Sequence, residues 1–286
     1  MKDKLALIIG GGGMTCSFGV GCVLALVKEY GLTAPDIVIA GSGGAGTAAY
    51  YVAGQYQSIL NIWENLLSTK KFINVLRFWR VIDIDYLIDT VFRKQDPLRK
   101  ERVQETKTVF LIPVTNACTG ELEYLSAKNG DIFEALRATK AMPLAYNKLI
   151  PINHNVYCDS YLSSPPGLHI GKAIEMGARK ILVIENGCYN PVINLGYGFW
   201  ARLRSNRFKN NHSNLLEKAK KIEIPEGVEV FRIKPMTKLR ISTLNNNRKL
   251  LIETIEKGYN ECKENTKLRE FLNNDQHRQL LAKSDS

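Results

Sequence analysis

"IVIAGSGGAGTAAYYVAG", Ile37 to Gly54, is the stretch on which the reading of this chain turns. Apolar residues from Ile37 to Ala40 run into a series of small residues carrying one hydroxyl, Ser42, and a helix-like pattern follows. A short apolar run bounded by glycine predicts a buried strand, and residues from about Gly43 to Ala53 predict a helix. Strand, sharp small-residue turn, serine and helix is the layout of a nucleophile elbow. The turn lifts the hydroxyl above the strand ends, and small residues two before and two after let the two backbones approach. Ala40 and Gly44 hold those positions, so the usual first glycine is replaced by a residue one methyl larger. A blander reading stands beside it: serine ahead of a helix is a common N-cap, and the glycines can serve close packing alone.

Outward from this segment the same alternation repeats. "LALII" (5–9) is a short apolar run ending at Gly10 to Gly13, and "SFGVGCVLALVKEYG" has helical spacing closed by Gly31 as a C-cap. "TVFLIPVT" (108–115) and "ELEYLSA" (121–127) predict two strands joined at Thr119-Gly120, and Asp131 caps "IFEALRATKAM" as a helix. "NVYCD" (155–159), "KILVIE" (180–185) and "VEVFRIKP" (228–235) predict further strands, with "HIGKAIEMGA" a helix between the first two. This order predicts an α/β fold, a mostly parallel central sheet with helices on both faces, in one domain spanning 1–286. Three regions stand outside that pattern. Residues 56–102 read as helical and rich in aromatic and basic residues, 186–214 as a long loop, and 243–286 as a polar helical tail.

Composition narrows the function classes. With 45% hydrophobic and 23% charged residues in 286, the chain can bury a sizeable core and is neither disordered nor collagen-like. No apolar run reaches the ~20 residues that span a bilayer, and glycines cut the run after Lys2 and Lys4 too short for a signal peptide. Six cysteines (16, 22, 118, 158, 188, 262) lie scattered without a C-x-x-C pair, which reads as reduced, buried thiols in a cytoplasmic protein. The net charge of +11 fits a basic surface toward anionic lipid or nucleic acid without choosing between them.

Two further features carry chemistry. "GGGG" (10–13) follows a strand and precedes a helix, so its N–H groups can converge on an anion. A P-loop needs G-x-x-x-x-G-K-[ST], and no Gly-Lys-Ser/Thr occurs. A dinucleotide fingerprint starting at Gly11 would need a glycine where Cys16 stands. An oxyanion hole needs only backbone donors near a nucleophile, and it is the option left. For a base, none of the four histidines (154, 169, 212, 277) is placed as a triad member. Asp159 ends a predicted strand and opens a turn, which puts its carboxylate at the ligand-binding edge of the sheet. Asp159 is read equally well as an Asx-turn acceptor on local grounds.

In this order the segments resemble the patatin-like phospholipases, from Leu5 to about Ile184. "LALIIGGGGMTCSFGVGCVLALVKEYGL" is similar to the family's opening strand, oxyanion loop and helix, with Gly11, Gly12 and Gly13 on its three glycines. "DIVIAGSGGAGTAAYYVAG" resembles its nucleophile segment and places Ser42 on the catalytic serine. "LRATKAMPLAYNKLIPINHNVYCDSY" resembles the stretch leading to its D-G motif and places Asp159 on the dyad aspartate. The departures are Ala40, Ser160 for the glycine of D-G, and Thr15 and Cys16 for the basic residue and glycine of the oxyanion loop.

The resemblance implies a three-layer α/β/α fold with a catalytic core over 5–185, and a lipid acyl hydrolase of phospholipase or lysophospholipase type. Ser42 would be the nucleophile, Asp159 its general base, and Gly11 to Gly13 the oxyanion donors, with no cofactor and no metal. Its partners would be a lipid ester and, transiently, an anionic membrane surface met peripherally from the cytoplasm. From Tyr197 to Lys221 there are seven basic residues against one acid, Glu217, with Tyr197, Phe199, Trp200 and Phe208 before and among them; this segment reads as a membrane contact and equally well as a solvated loop whose aromatics fold onto the core. Two rival classes are a lipid-binding protein that keeps the pocket without turnover, separable by fluorophosphonate labelling of Ser42, and a nucleic-acid binder. The latter is disfavoured because the basic residues are dispersed and no reader module is present.

Overall fold

A run of buried residues from Ala6 to Ile9 makes β1 (Lys4–Ile9) the spine of the sheet, flanked by parallel neighbours on both edges. The computed structural model describes residues 3–77, 80–160, 165–187 and 191–273. The other strands are β2 (Ile37–Ala40), β3 (Val109–Asn116), β4 (Leu122–Ser126), β5 (Ile150–Ile152), β6 (Asn155–Cys158), β7 (Ala178–Ile184) and β8 (Glu229–Ile233). They form one eight-stranded sheet in the order β5-β6-β3-β2-β1-β7-β8, with β4 pairing β3. From β3 to β8 every neighbour is parallel, while β4, β5 and β6 add antiparallel pairings at one end. The expected mostly parallel α/β sheet is present.

Period-two burial builds two cores. Leu7, Ile9, Val38 and Ala40 point to the larger one, shared with α1 (Ser17–Tyr30), α2 (Ser42–Val52) and α9 (Arg248–Lys263). Ala6, Ile8, Ile37 and Ile39 point to the other face, where Ile170 and Ala173 of α6 (Pro166–Glu175) cover them. α1 ends as its sequence predicts: Gly31 takes a left-handed φ of 64° and its N–H closes onto the Leu26 carbonyl. Asp131 caps α5 (Ile132–Ala138) by accepting the Phe133 N–H.

Between α2 and β3 lies an insert holding α3 (Tyr56–Asn61), π-helical turns at Ile62–Leu66 and Tyr86–Gln95, and α4 (Lys100–Glu105). Between the π-helical turns, 67–77 and 80–83 are largely irregular, so the helical reading of 56–102 holds at the two ends only. The expected loop over 186–214 is corrected from Pro191 onward, where α7 (Pro191–Arg202) and α8 (Asn206–Lys220) run. Ser205 caps α8 by accepting the Phe208 N–H. Cys16, Cys22, Cys158 and Cys262 are buried thiols, but Cys118 is exposed because it sits in the tight turn between β3 and β4; Cys188 lies outside the described residues.

One register detail positions everything that follows. Leu111 pairs with both Ile39 of β2 and Ser126 of β4, so those two strands occupy opposite edges of β3. Thr115 pairs with both Leu122 of β4 and Cys158 of β6, so β6 also lies opposite β4. β2 and β6 therefore share one edge of β3, end to end. β2 runs parallel to β3 and β6 antiparallel, so their carboxyl ends face each other across the short stretch 112–114. Ser42 leaves one of those ends and Asp159 the other.

Candidate active site

Gly41 is the helix cap, extended at φ −119°, and Ser42 is the first residue of α2. Ser42 holds a φ of +50°, in the left-handed region that a non-glycine residue rarely adopts. No side-chain bond caps this helix, so the N-cap reading of the serine falls away. Its Oγ instead donates to Asp159 Oδ2 at 2.8 Å, with both residues buried. The Asp159 carboxylate is turned onto the serine. Asp159 is fixed through its backbone, donating to the Ala141 carbonyl at 3.0 Å and accepting from Thr115 Oγ1 at 2.9 Å.

The glycine loop lies against this pair. A Cβ added at Gly11 would stand 2.9 Å from the Ser42 Cβ, so only glycine lets the loop run this close to Ser42. Among the described residues, none accepts the N–H groups of Gly11, Gly12 or Gly13. The loop is tied elsewhere: Gly10 N–H donates to the Ile184 carbonyl, Asn186 Nδ2 donates to the Gly10 carbonyl at 2.6 Å, and Met14 N–H donates to the Thr243 carbonyl. Thr15, where the family pattern has a basic residue, donates its hydroxyl to the Gly12 carbonyl at 2.9 Å.

Residues 7–171 match the family described as patatin-like phospholipase. The chain belongs to the patatin-like phospholipase family. Among solved structures, it is similar to the crystal structure of VipD from Legionella pneumophila, with 13% identity over 96% of this chain and 67% of that one, and a TM-score of 0.50. That likeness is one of fold. No curated protein matches the chain. As a patatin-like phospholipase it belongs among the lipid acyl hydrolases.

Two spaces meet at Ser42 in this patatin-like fold. One is an apolar pocket walled by Ile59, Trp63, Phe72, Ile82 and Phe92 of the insert, with Ser42 and Asp159 at its end. The other is a cleft with more polar walls, lined by Gly11, Ser160, His169 and Asn186. Burial holds His169 down to about 4, and its Nδ1 shares a 2.9 Å hydrogen bond with the Tyr124 hydroxyl. No described helix is long and apolar enough to cross a membrane.

Three site residues carried no motif in the sequence. Thr139 Oγ1 accepts the Ser42 N–H at 3.0 Å and donates to the Pro113 carbonyl at 2.6 Å. Lys140, only 6% exposed, donates its ammonium to the Ser42 carbonyl at 2.5 Å. Asn186 bridges the glycine loop to α1, its Oδ1 accepting the Gly19 N–H at 2.9 Å. A polar residue straight after an apolar strand was the one available signal for Asn186, and a polar pair closing a helix the one for Thr139 and Lys140.

Proposed function

We propose that this protein hydrolyses lipid esters by acyl transfer through a Ser42–Asp159 dyad. The observation that carries the reading is the 2.8 Å bond from the Ser42 hydroxyl to Asp159, made from a left-handed serine at a strand–helix turn. Asp159 takes the Ser42 proton as Oγ attacks the ester carbonyl and passes it to the departing alcohol oxygen; water then attacks the acyl-enzyme, giving a proton to Asp159 that returns to Ser42 Oγ as the acid leaves. The oxyanion is held by the N–H groups of the Gly11 to Gly13 loop and by the positive end of α2. The apolar pocket takes an acyl chain, and the polar cleft takes the alcohol or head group that leaves. A panel running from p-nitrophenyl acyl esters to lysophospholipids and phospholipids tests this. Ser42→Ala and Asp159→Asn each remove hydrolysis by a factor of about 10³ or more, and the double variant is hardly worse, because the two act as a unit. Wild-type rates in both single variants would end the assignment.

We also propose a peripheral contact with anionic membranes, on a surface different in part from the expected one. Tyr197 and Phe208 are buried in the fold, and Trp200 packs edge-on against Phe208. Arg204 is occupied as well, stacked on Trp200 and donating to the Ala117 carbonyl at 2.7 Å. What faces solvent is Leu195 and Phe199 on α7 with Leu203 just past its end, and the cations Arg202, Arg207 and Lys209, close by in sequence, are exposed as well. An apolar stripe set among cations suits an anionic bilayer surface.

A further inference from the structure

Lys140 is an expensive residue to bury. It projects into the wall of the apolar pocket beside Tyr50, Trp63 and Phe92, where a charge is tolerated only if it is paired. Its hydrogen-bond partner is the backbone of Ser42, and Asp159 lines the same pocket. Nζ donates to the carbonyl of Ser42, and the titratable groups facing it are Asp159, from the end of β6, and Cys16, from the turn before α1. The insert contributes Phe92 and α2 contributes Gly46, neither of them charged. The site meanwhile lacks the cation that the family pattern places in the glycine loop, since Thr15 stands there with its hydroxyl bonded to Gly12.

We propose that Lys140 is a positioning residue of the dyad, a fixed buried cation that pins the left-handed Ser42 through its carbonyl and holds Asp159 in the carboxylate form that accepts the serine proton. The inference rests on the acyl-transfer reading above. A positive charge in an apolar wall acts more strongly than one in water, favouring the ionised carboxylate and the negative charge that develops on the serine side during attack. It does so without touching the substrate's reacting atoms. Burial pushes the Lys140 ammonium down to about 8, while the charge of Asp159 pulls the other way. A lysine there is a cation at neutral pH and loses its proton as pH rises through the mildly basic range, taking its effect on Asp159 with it.

The test compares wild type with Lys140→Met, which keeps length and apolar volume but removes the charge. Folding is checked by thermal melting, and kcat and KM are followed from pH 5 to 10 on a soluble p-nitrophenyl ester. Wild type is expected to lose kcat/KM above about pH 8. In Lys140→Met that basic limb disappears, the acid limb moves to higher pH, and kcat falls on the order of 10- to 100-fold with KM little changed. A variant that keeps both limbs where wild type has them, whatever its amplitude, overturns the proposal. Should Lys140→Met fail to fold, the rate of fluorophosphonate labelling of wild-type Ser42 decides: a fall above about pH 8 supports the cation, and a rate rising steadily to pH 10 overturns it. Absence of any label on wild-type Ser42 refutes the dyad itself, and is thereby told apart from a failure of the Lys140 inference alone.

Discussion

Ser42 keeps a backbone conformation that costs a non-glycine residue on the order of 1–3 kcal/mol, and such strain persists only where neighbours over-determine it. Here the neighbours are Thr139 on its N–H, Lys140 on its carbonyl and Asp159 on its hydroxyl. Thr139→Val keeps the shape but leaves the buried Ser42 N–H and Pro113 carbonyl unpaired, so stability should fall by about 1–3 kcal/mol. Urea denaturation would show this as a lower midpoint at unchanged slope, and a midpoint equal to wild type would mean the turn holds without Thr139. Ser42 and the three glycines sit in short local patterns that the sequence displays, whereas Asp159 was set apart from an Asx-turn acceptor only by the family resemblance. Thr139 was not legible, because its partner lies 97 positions away and nothing beside it in sequence records the pairing. His169 adds a pH dependence of its own. Its folded value near 4 lies below the ~6.5 of an exposed histidine, so the unfolded chain binds the proton first as pH falls. Its contribution is constant above about pH 6.5 and is lost progressively down to about 4, on the order of 3 kcal/mol in all. Melting temperatures followed from pH 7.5 to 4.5 should drop less in His169→Gln than in wild type; parallel curves would contradict this.

At the scale of elements, the contact between Ser42 and Asp159 is a product of strand register. β2 and β6 meet end to end on one edge of β3, and that meeting brings residues 117 positions apart into hydrogen-bond contact. Each strand could be read from its own apolar run, but their shared edge could not, because register is a property of pairs. α7 and α8 escaped the sequence reading for a different reason. Gly196 and Gly198 weaken the helical propensity of α7, and its apolar residues Leu195 and Phe199, like Leu203 just past its end, face solvent where a core-facing stripe would be sought. α9 shows the reverse: a polar composition hides a tightly packed helix. Where it crosses α1, a Cβ added at Gly258 would stand 2.1 Å from the Phe18 carbonyl oxygen, and one at Gly21 would stand 2.0 Å from the Ile255 carbonyl oxygen. Backbone against backbone cannot yield as a side chain can, so Gly258→Ala should cost about 1–3 kcal/mol or more by overpacking. Since Thr243, just before α9, receives the Met14 N–H at the base of the glycine loop, activity should fall before the protein unfolds. A Gly258→Ala protein with wild-type melting would show that the helices can part without cost.

Over the whole molecule, a charge of +11 and an exposed apolar stripe on α7 act in the same direction. Leu195, Phe199 and Leu203 are 76%, 61% and 71% exposed at a four-residue spacing, and clustered apolar exposure of this kind marks an interaction surface. Each exposed cation near an anionic surface contributes about 1 kcal/mol, screened within a Debye length, so Arg202, Arg207 and Lys209 together supply about 3 kcal/mol at low salt. The apolar stripe adds a part that salt does not screen. Two variants separate the two contributions in sedimentation with vesicles of pure phosphatidylcholine or of phosphatidylcholine with phosphatidylglycerol. Charge reversal at Arg202, Arg207 and Lys209 should weaken binding to the anionic vesicles by about 10²-fold or more at low salt and little at high salt. Phe199→Ser with Leu203→Ser should weaken binding at both. Hydrolysis of a soluble p-nitrophenyl ester should stay at the wild-type rate in both variants, while hydrolysis of vesicle-borne lipid falls with binding. If both variants sediment with anionic vesicles as wild type does, the α7–α8 face is not how the enzyme meets its substrate's surface.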